Sequence, residues 1–162
     1  MRFLAIFLLT LYHLFSQREI VKIITQDTLL QHHFAKILPI LEQDINLEFN
    51  KIVTDYNSEG YLFAELKIID IVEIEQKLTL YVQLILNEKS ILDSIRFGNE
   101  NRFETKFLEK VAHLSQNVTL TPQILLNSQK YLAQTNWFKS VNEAKFYTQD
   151  SIFITEFNTI SR

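Results

Sequence analysis

From Glu19 onward the chain alternates apolar and polar residues, changes to helical spacing, returns to alternation, and then repeats the cycle. The stretch EIVKII, residues 19–24, is β-branched and alternating, which predicts a strand. In DTLLQHHFAKIL, residues 27–38, Leu30, Phe34, Ile37 and Leu38 recur at helical spacing behind the capping residue Asp27. Pro39 interrupts that pattern. In DINLEFNKIVTDYNSEG, residues 44–60, Ile45, Phe49, Ile52, Val53 and Tyr56 share one helical face, and Gly60 supplies the stop. Two strands are expected next, Tyr61–Val72 and Lys77–Asn87. Leu78, Leu80, Val82, Leu84 and Leu86 alternate without a break in the second, and the polar EIEQ between them can turn a hairpin.

The order then starts again. ILDSIRF, residues 91–97, predicts a strand, and NRFETKFLEKVAHL, residues 101–114, a helix with Asn101 as cap and Glu104 three residues on. Thr121-Pro122 forms a cap and first-turn pair for a helix to about Thr135. WFKSVNEAKFY and SIFITEFNTI close the chain as a hairpin turning at Thr148–Asp150. Residue-level matches support a repeat. Shifted by 74, Val21 and Ile23 fall on Ile95 and Phe97, and Leu29, Phe34 and Ile37 on Phe103, Leu108 and Val111. Shifted by 76, Phe49, Tyr56, Gly60 and Tyr61 fall on Leu125, Leu132, Asn136 and Trp137. Each unit therefore reads strand, helix, helix, strand, strand.

Composition narrows the class of function. The 162 residues are 47% hydrophobic with a formal net charge of −3, and the basic residues are scattered among acidic ones, so no basic patch offers itself to nucleic acid. Cysteine is absent, which removes disulfides, thiolate nucleophiles and cysteine metal sites together. At the N-terminus, Arg2 precedes the apolar run Phe3–Phe15, followed by Ser16. That is the pattern of a secretory signal over residues 1–16, and the run is shorter than the ~20 residues of a membrane span. A retained anchor and a buried N-terminal strand or helix are the alternatives.

Reactive constellations are not evident. His32 and His33 are neighbours on an expected helix and point about 100° apart, a poor arrangement for sharing a metal. His113 has no obvious partner, and Glu73 and Glu75 read as a solvated turn. No phosphate loop, nucleophile elbow or zinc motif occurs, so no enzyme activity, cofactor, metal or small-molecule substrate is expected. Asn117-Val118-Thr119 fits a glycosylation sequon, relevant only in a eukaryotic secretory pathway. Trp137-Phe138 is expected to anchor the last helix to its sheet.

Three stretches give the pattern a family likeness: Ile95-Arg96-Phe97-Gly98-Asn99 at the end of a first strand, Tyr56-Asn57-Ser58-Glu59-Gly60-Tyr61 at the end of a second helix, and Leu84-Ile85-Leu86-Asn87-Glu88-Lys89 between units. With this element order, residues 19–160 resemble the polypeptide-transport-associated (POTRA) domains of bacterial outer-membrane barrel-assembly and two-partner secretion proteins. The first unit has Ile24-Thr25 in place of Gly98-Asn99, and the second has Asn136-Trp137 in place of Gly60-Tyr61.

The resemblance implies an α+β fold of two tandem β-α-α-β-β units, residues 18–88 and 89–162, each a three-stranded sheet covered on one face by two helices. Gly60, Tyr61, Gly98 and Asn99 would then be structural turn residues. It also implies an exported, periplasmic protein associated with the outer membrane, the N-terminal part of a longer barrel protein. Its partners would be unfolded outer-membrane protein precursors or accessory assembly proteins, received by β-augmentation. The middle strand of each unit, Tyr61–Val72 and Phe138–Phe146, is implied to lie at a sheet edge, with Leu62, Ala64, Leu66 and Ile68, or the residues alternating with them, as the contact line. Two other roles remain open: a two-partner secretion transporter recognising one exported protein, and a membrane-anchored periplasmic scaffold of cell-division type.

Overall fold

The computed structural model describes residues 18–98, 103–149 and 152–161. The signal expected over residues 1–16, Asn99, the Asn101 cap and Asp150 all lie outside these residues. By their contacts the described residues form two compact units. One runs through Val53 and resumes over Ala64–Leu86; the other takes Thr54–Phe63 together with the residues from Asn87 on.

In the first unit the order is β1 (Glu19–Ile24), α1 (Thr28–Ile37), a two-residue strand β2 (Ile40–Leu41), a 3-10 turn (Glu42–Asp44), α2 (Ile45–Ser58), β3 (Glu65–Ile74) and β4 (Lys77–Ile85). The Asp27 carboxylate accepts the Leu30 N–H at 2.9 Å and starts α1, as its position in the sequence predicts. The sheet runs β2-β1-β4-β3, with β1 parallel to β4 and β3 antiparallel to it. A parallel pair needs a long crossover, which the two helices supply. Leu78, Leu80 and Val82 on β4 are buried together with Ile20, Ile23, Leu30, Phe34, Ile45, Phe49 and Ile52. β1 departs from strict alternation. Its register slips between Ile20 and Lys22, so Ile20 and Ile23 are buried and Val21 is exposed.

The second unit continues with β5 (Ser94–Gly98), α3 (Thr105–Val111), α4 (Pro122–Gln134), β6 (Phe138–Val141), β7 (Lys145–Gln149) and β8 (Ile152–Ser161). β8 is the middle strand, parallel to β5 on one side. On its other side β6 and β7 share the flank, pairing with the two ends of β8, so the expected single strand 138–146 is interrupted. α3 starts at Thr105 behind Glu104 and is shorter than the sequence suggests. His113, at φ +54, ends it: His113 N–H bonds to Lys110 C=O and Leu114 N–H to Glu109 C=O, a Schellman closure with Leu114 buried. α4 begins as expected, with Thr121 Oγ1 accepting the Ile124 N–H and Pro122 in the first turn. Its core joins Leu92, Ile95, Leu108, Leu120, Leu125, Leu132, Phe138 and Phe157, and reaches Leu62.

Phe157 is fully buried at the centre of β8 and stacks on its cross-strand partner Phe97, 5.7 Å between centroids. Phe157→Ala is expected to destabilise the protein by about 3–5 kcal/mol in chemical denaturation. A loss below about 1 kcal/mol would show that this stack is not central to the core.

Candidate strand-receiving edge

β3 begins with Glu65 because the residues before it are used elsewhere. The N–H of Gly60 bonds to Asn57 C=O and that of Tyr61 to Tyr56 C=O, which closes α2 as a Schellman motif with Gly60 at φ +100. Tyr56 and Tyr61 meet edge to face at 6.2 Å, the apolar contact that accompanies this closure. Leu62 is only 8% exposed, in the core of the second unit, and Phe63 packs on Phe146 and Phe153. The Phe63 carbonyl accepts from Asn87 Nδ2 at 2.8 Å. Only beyond Ala64 is the chain free to pair with β4.

At its far end β3 turns through Glu75 and Gln76, at φ +51 and +64, into β4. Two left-handed residues make a type I′ hairpin. Ile74 and Lys77 therefore exchange both backbone bonds, and bonded pairs alternate from there: Val72 with Thr79, Asp70 with Tyr81. Ile71 and Glu73 turn their N–H and C=O groups away from β4. β3 has no neighbour on that side among the described residues. A bulge between Ile68 and Asp70 interrupts the ladder, and the Asp70 carboxylate accepts the outward N–H of Ile71 at 2.8 Å. A bulge and a charge are devices that restrain an open edge from indiscriminate pairing.

The side chains along this edge are aliphatic and uncovered. Leu66, Ile68, Ile71 and Glu73 lie opposite Leu84, Val82, Leu80 and Leu78, hence on the helix-covered face of the sheet. Ile68 and Ile71 nevertheless stay 41% and 52% exposed, and Ile69 and Ile74 reach 65% and 67%. The hairpin is tied to the start of β1 by Arg18, which grips Glu42 with two bonds of 2.8 and 2.9 Å and reaches Glu73 at 3.4 Å.

Of the expected contact line, then, Leu62 is a core residue, Ala64 precedes the strand, and Leu66 and Ile68 stand on β3. The sequence reading missed Ile69, Ile71, Val72 and Ile74. The doubled aliphatics Ile68-Ile69 and Ile71-Val72 were the available signal, since they break the period of two at the bulge. Gly98 stands at the end of the first strand of its unit, where the sequence places it. It is the last residue of β5 without a left-handed φ, and a Cβ there would meet Asn158 Oδ1 at 2.6 Å. Asn136, at φ +59, takes the place in the second unit that Gly60 holds at the end of α2.

Elsewhere, His33 Nε2 lies 3.9 Å from Glu48 across α1 and α2, and His113 packs on Tyr131 at 4.5 Å. Trp137 stacks against both Phe103 and Phe107, at 5.0 and 5.3 Å, and so holds α3 beside β6. No group of three or more potential metal ligands occurs among the described residues, and no described helix is long and apolar enough to cross a membrane.

No protein-family profile matches the sequence, and no curated protein matches it either. Among solved structures the chain is similar to BamA from Haemophilus ducreyi lacking POTRA domains 1–3, with a TM-score of 0.59 and 13% identity over 90% of this chain. It is likewise similar to POTRA domains 3–5 of Haemophilus influenzae BamA, with a TM-score of 0.60 at 13% identity over 90% of this chain. The fold is that of POTRA domains, in the α+β, tandem β-α-α-β-β form. The chain spans 29% of the first of these structures and 61% of the second.

The closure of α2 is open to a direct test. A Cβ on Gly60 would take up a left-handed φ and lie 2.4 Å from Thr119 Cγ2. Gly60→Ala is expected to cost about 2–4 kcal/mol from backbone strain and overpacking. Adding Thr119→Ala should recover part of that loss, by relieving the packing but not the backbone. Gly98→Ala, whose new methyl meets only the tip of a movable side chain, should stay within about 1 kcal/mol of the parent. Equal losses at both glycines in denaturant melts would contradict this distinction.

Proposed function

We propose that this chain is the periplasmic polypeptide-binding part of an outer-membrane protein assembly factor, and that it receives barrel precursors by β-augmentation along β3. The observation that carries the reading is the open edge of β3, where the main chain of Glu73 and the carbonyl of Ile71 face away from β4 beside uncovered aliphatic side chains. An extended client adds backbone hydrogen bonds there with little regard to its sequence, while the aliphatic side chains select apolar residues. Binding and orientation are the activity, and no catalytic group, cofactor or metal takes part. The likeness to BamA POTRA domains supports the same reading. In this proposal residues 1–16 direct export, residues 18–88 and 89–162 are successive POTRA-like domains, and a barrel elsewhere in the full protein holds them at the outer membrane. Unfolded barrel precursors or accessory assembly proteins are the partners.

A photo-crosslinking residue at Ile71 is expected to capture a purified, urea-unfolded barrel precursor, whereas one at Leu29, exposed on α1, is not. Glu73→Pro removes an outward donor that β4 does not use, so the strand tolerates it while precursor affinity falls by roughly tenfold or more. Equal capture from Ile71 and Leu29, or unchanged affinity in the proline variant, would refute the assignment.

A further inference from the structure

Along β3 the main chain turns outward at Leu66, Ile68, Ile71 and Glu73, which lie opposite Leu84, Val82, Leu80 and Leu78. These residues are two apart on each limb of the strand but three apart across the bulge, from Ile68 to Ile71. A regular extended guest repeats every two residues, so it can follow one limb or the other and not both.

Asp70 stands at this break. Its Oδ1 accepts the N–H of Ile71 at 2.8 Å, and that N–H is the first outward donor on the hairpin limb. An amide carries a single hydrogen, and a bond to a carboxylate is roughly twice as strong as one to a neutral carbonyl. A guest carbonyl that competes for this hydrogen must displace a charge with a neutral dipole, and it loses. Between Ile71 and Ile74 the limb therefore offers a guest the Ile71 carbonyl and the two main-chain groups of Glu73.

We infer that Asp70 sets the register of a strand received on β3: by holding the Ile71 N–H it seats the guest beside the hairpin, on the Ile71 carbonyl and the Glu73 main chain, and stops it there. This role rests on the reading of β3 as the receiving edge, and it gives that edge a short and reversible hold. An unrestricted flank would bind more tightly with every residue the client added, whereas a short seat lets the client go. Asp70 is a positioning residue, since it acts on the guest through the Ile71 amide.

The test follows hydrogen exchange of single backbone amides by NMR on the whole chain. The guest is a synthetic peptide of alternating valine and threonine, about ten residues long, the length of one barrel strand. In the parent protein the peptide is expected to slow exchange at Glu73 and to leave Ile71 unchanged. Asp70→Ala and Asp70→Val each free the Ile71 N–H, and either suffices if the other fails to fold. In these variants the peptide should slow exchange at Ile71 as well as at Glu73. It should also bind roughly two- to tenfold more tightly, the gain from one added hydrogen bond. Asp70→Asn keeps a side-chain acceptor and should restore the parental pattern, which a general loosening of the strand would not do. Slowing at Glu73 with the same response at Ile71 in parent and variants would overturn the role of Asp70 and leave β3 as the receiving edge. Exchange at Glu73 unchanged by the peptide in every protein would remove the receiving edge itself, and the register with it.

Discussion

A strand has two sides, and the connection that reaches it decides which side is left open. In the first unit the helices carry the chain from β1 back to a parallel position beside β1, and β4 takes that position as the final strand. The tight hairpin then requires β3 to lie on the remaining side of β4. The middle strand in sequence thus becomes an outer strand in space. The same constraint governs the second unit, where β8 is central and β6 and β7 share its outer flank. The exposed isoleucines of β3, the bulge and the Asp70 carboxylate are all consequences of a strand with one neighbour. The end of β4 also runs past its parallel neighbour, since β1 stops at Ile24 opposite Tyr81 while β4 continues to Ile85.

Closing the helices is the second requirement, and the chain meets it with a left-handed residue of three different types. Gly60, His113 and Asn136 each come after a helix at positive φ, and in each the N–H returns to a carbonyl of the last turn. Glycine enters this conformation without Cβ strain, and asparagine tolerates it. Gly60 is singular because the space above it is also filled, by Thr119. Tyr56 and Tyr61 complete the closure, which gives the Tyr-x-x-x-Gly-Tyr spacing a mechanical explanation: the two rings sit on either side of the reversal that Gly60 permits.

The order of elements, the Asp27 and Thr121 caps, the core face of β4 and the role of Gly60 were legible in the sequence. Each depends on a local rule: a periodicity, a side-chain acceptor three residues from an N–H, or a φ that only some residues adopt. The start of β3 was not legible. Tyr61 to Phe63 are as apolar and as strand-like as β3 itself, but Leu62 and Phe63 are claimed by distant partners in the second unit. The bulge in β1 was equally hidden, because both Val21 and Ile20 suit a buried strand position and only the register against β4 selects Ile20. Gly98 reads as a turn residue by its type, and its actual constraint is the side chain of Asn158 on a neighbouring strand.

The alternation of strands and helices, their repetition, and the residues that begin and end the helices follow from the order of residues, since these depend on interactions within a few positions along the chain. Which strand is central, which edge is left unpaired, and which aliphatic side chains stay uncovered follow from how the packed strands pair. Those properties belong to pairs of segments far apart in sequence, and the hydrophobic pattern of a strand is the same whether one or both of its sides are occupied.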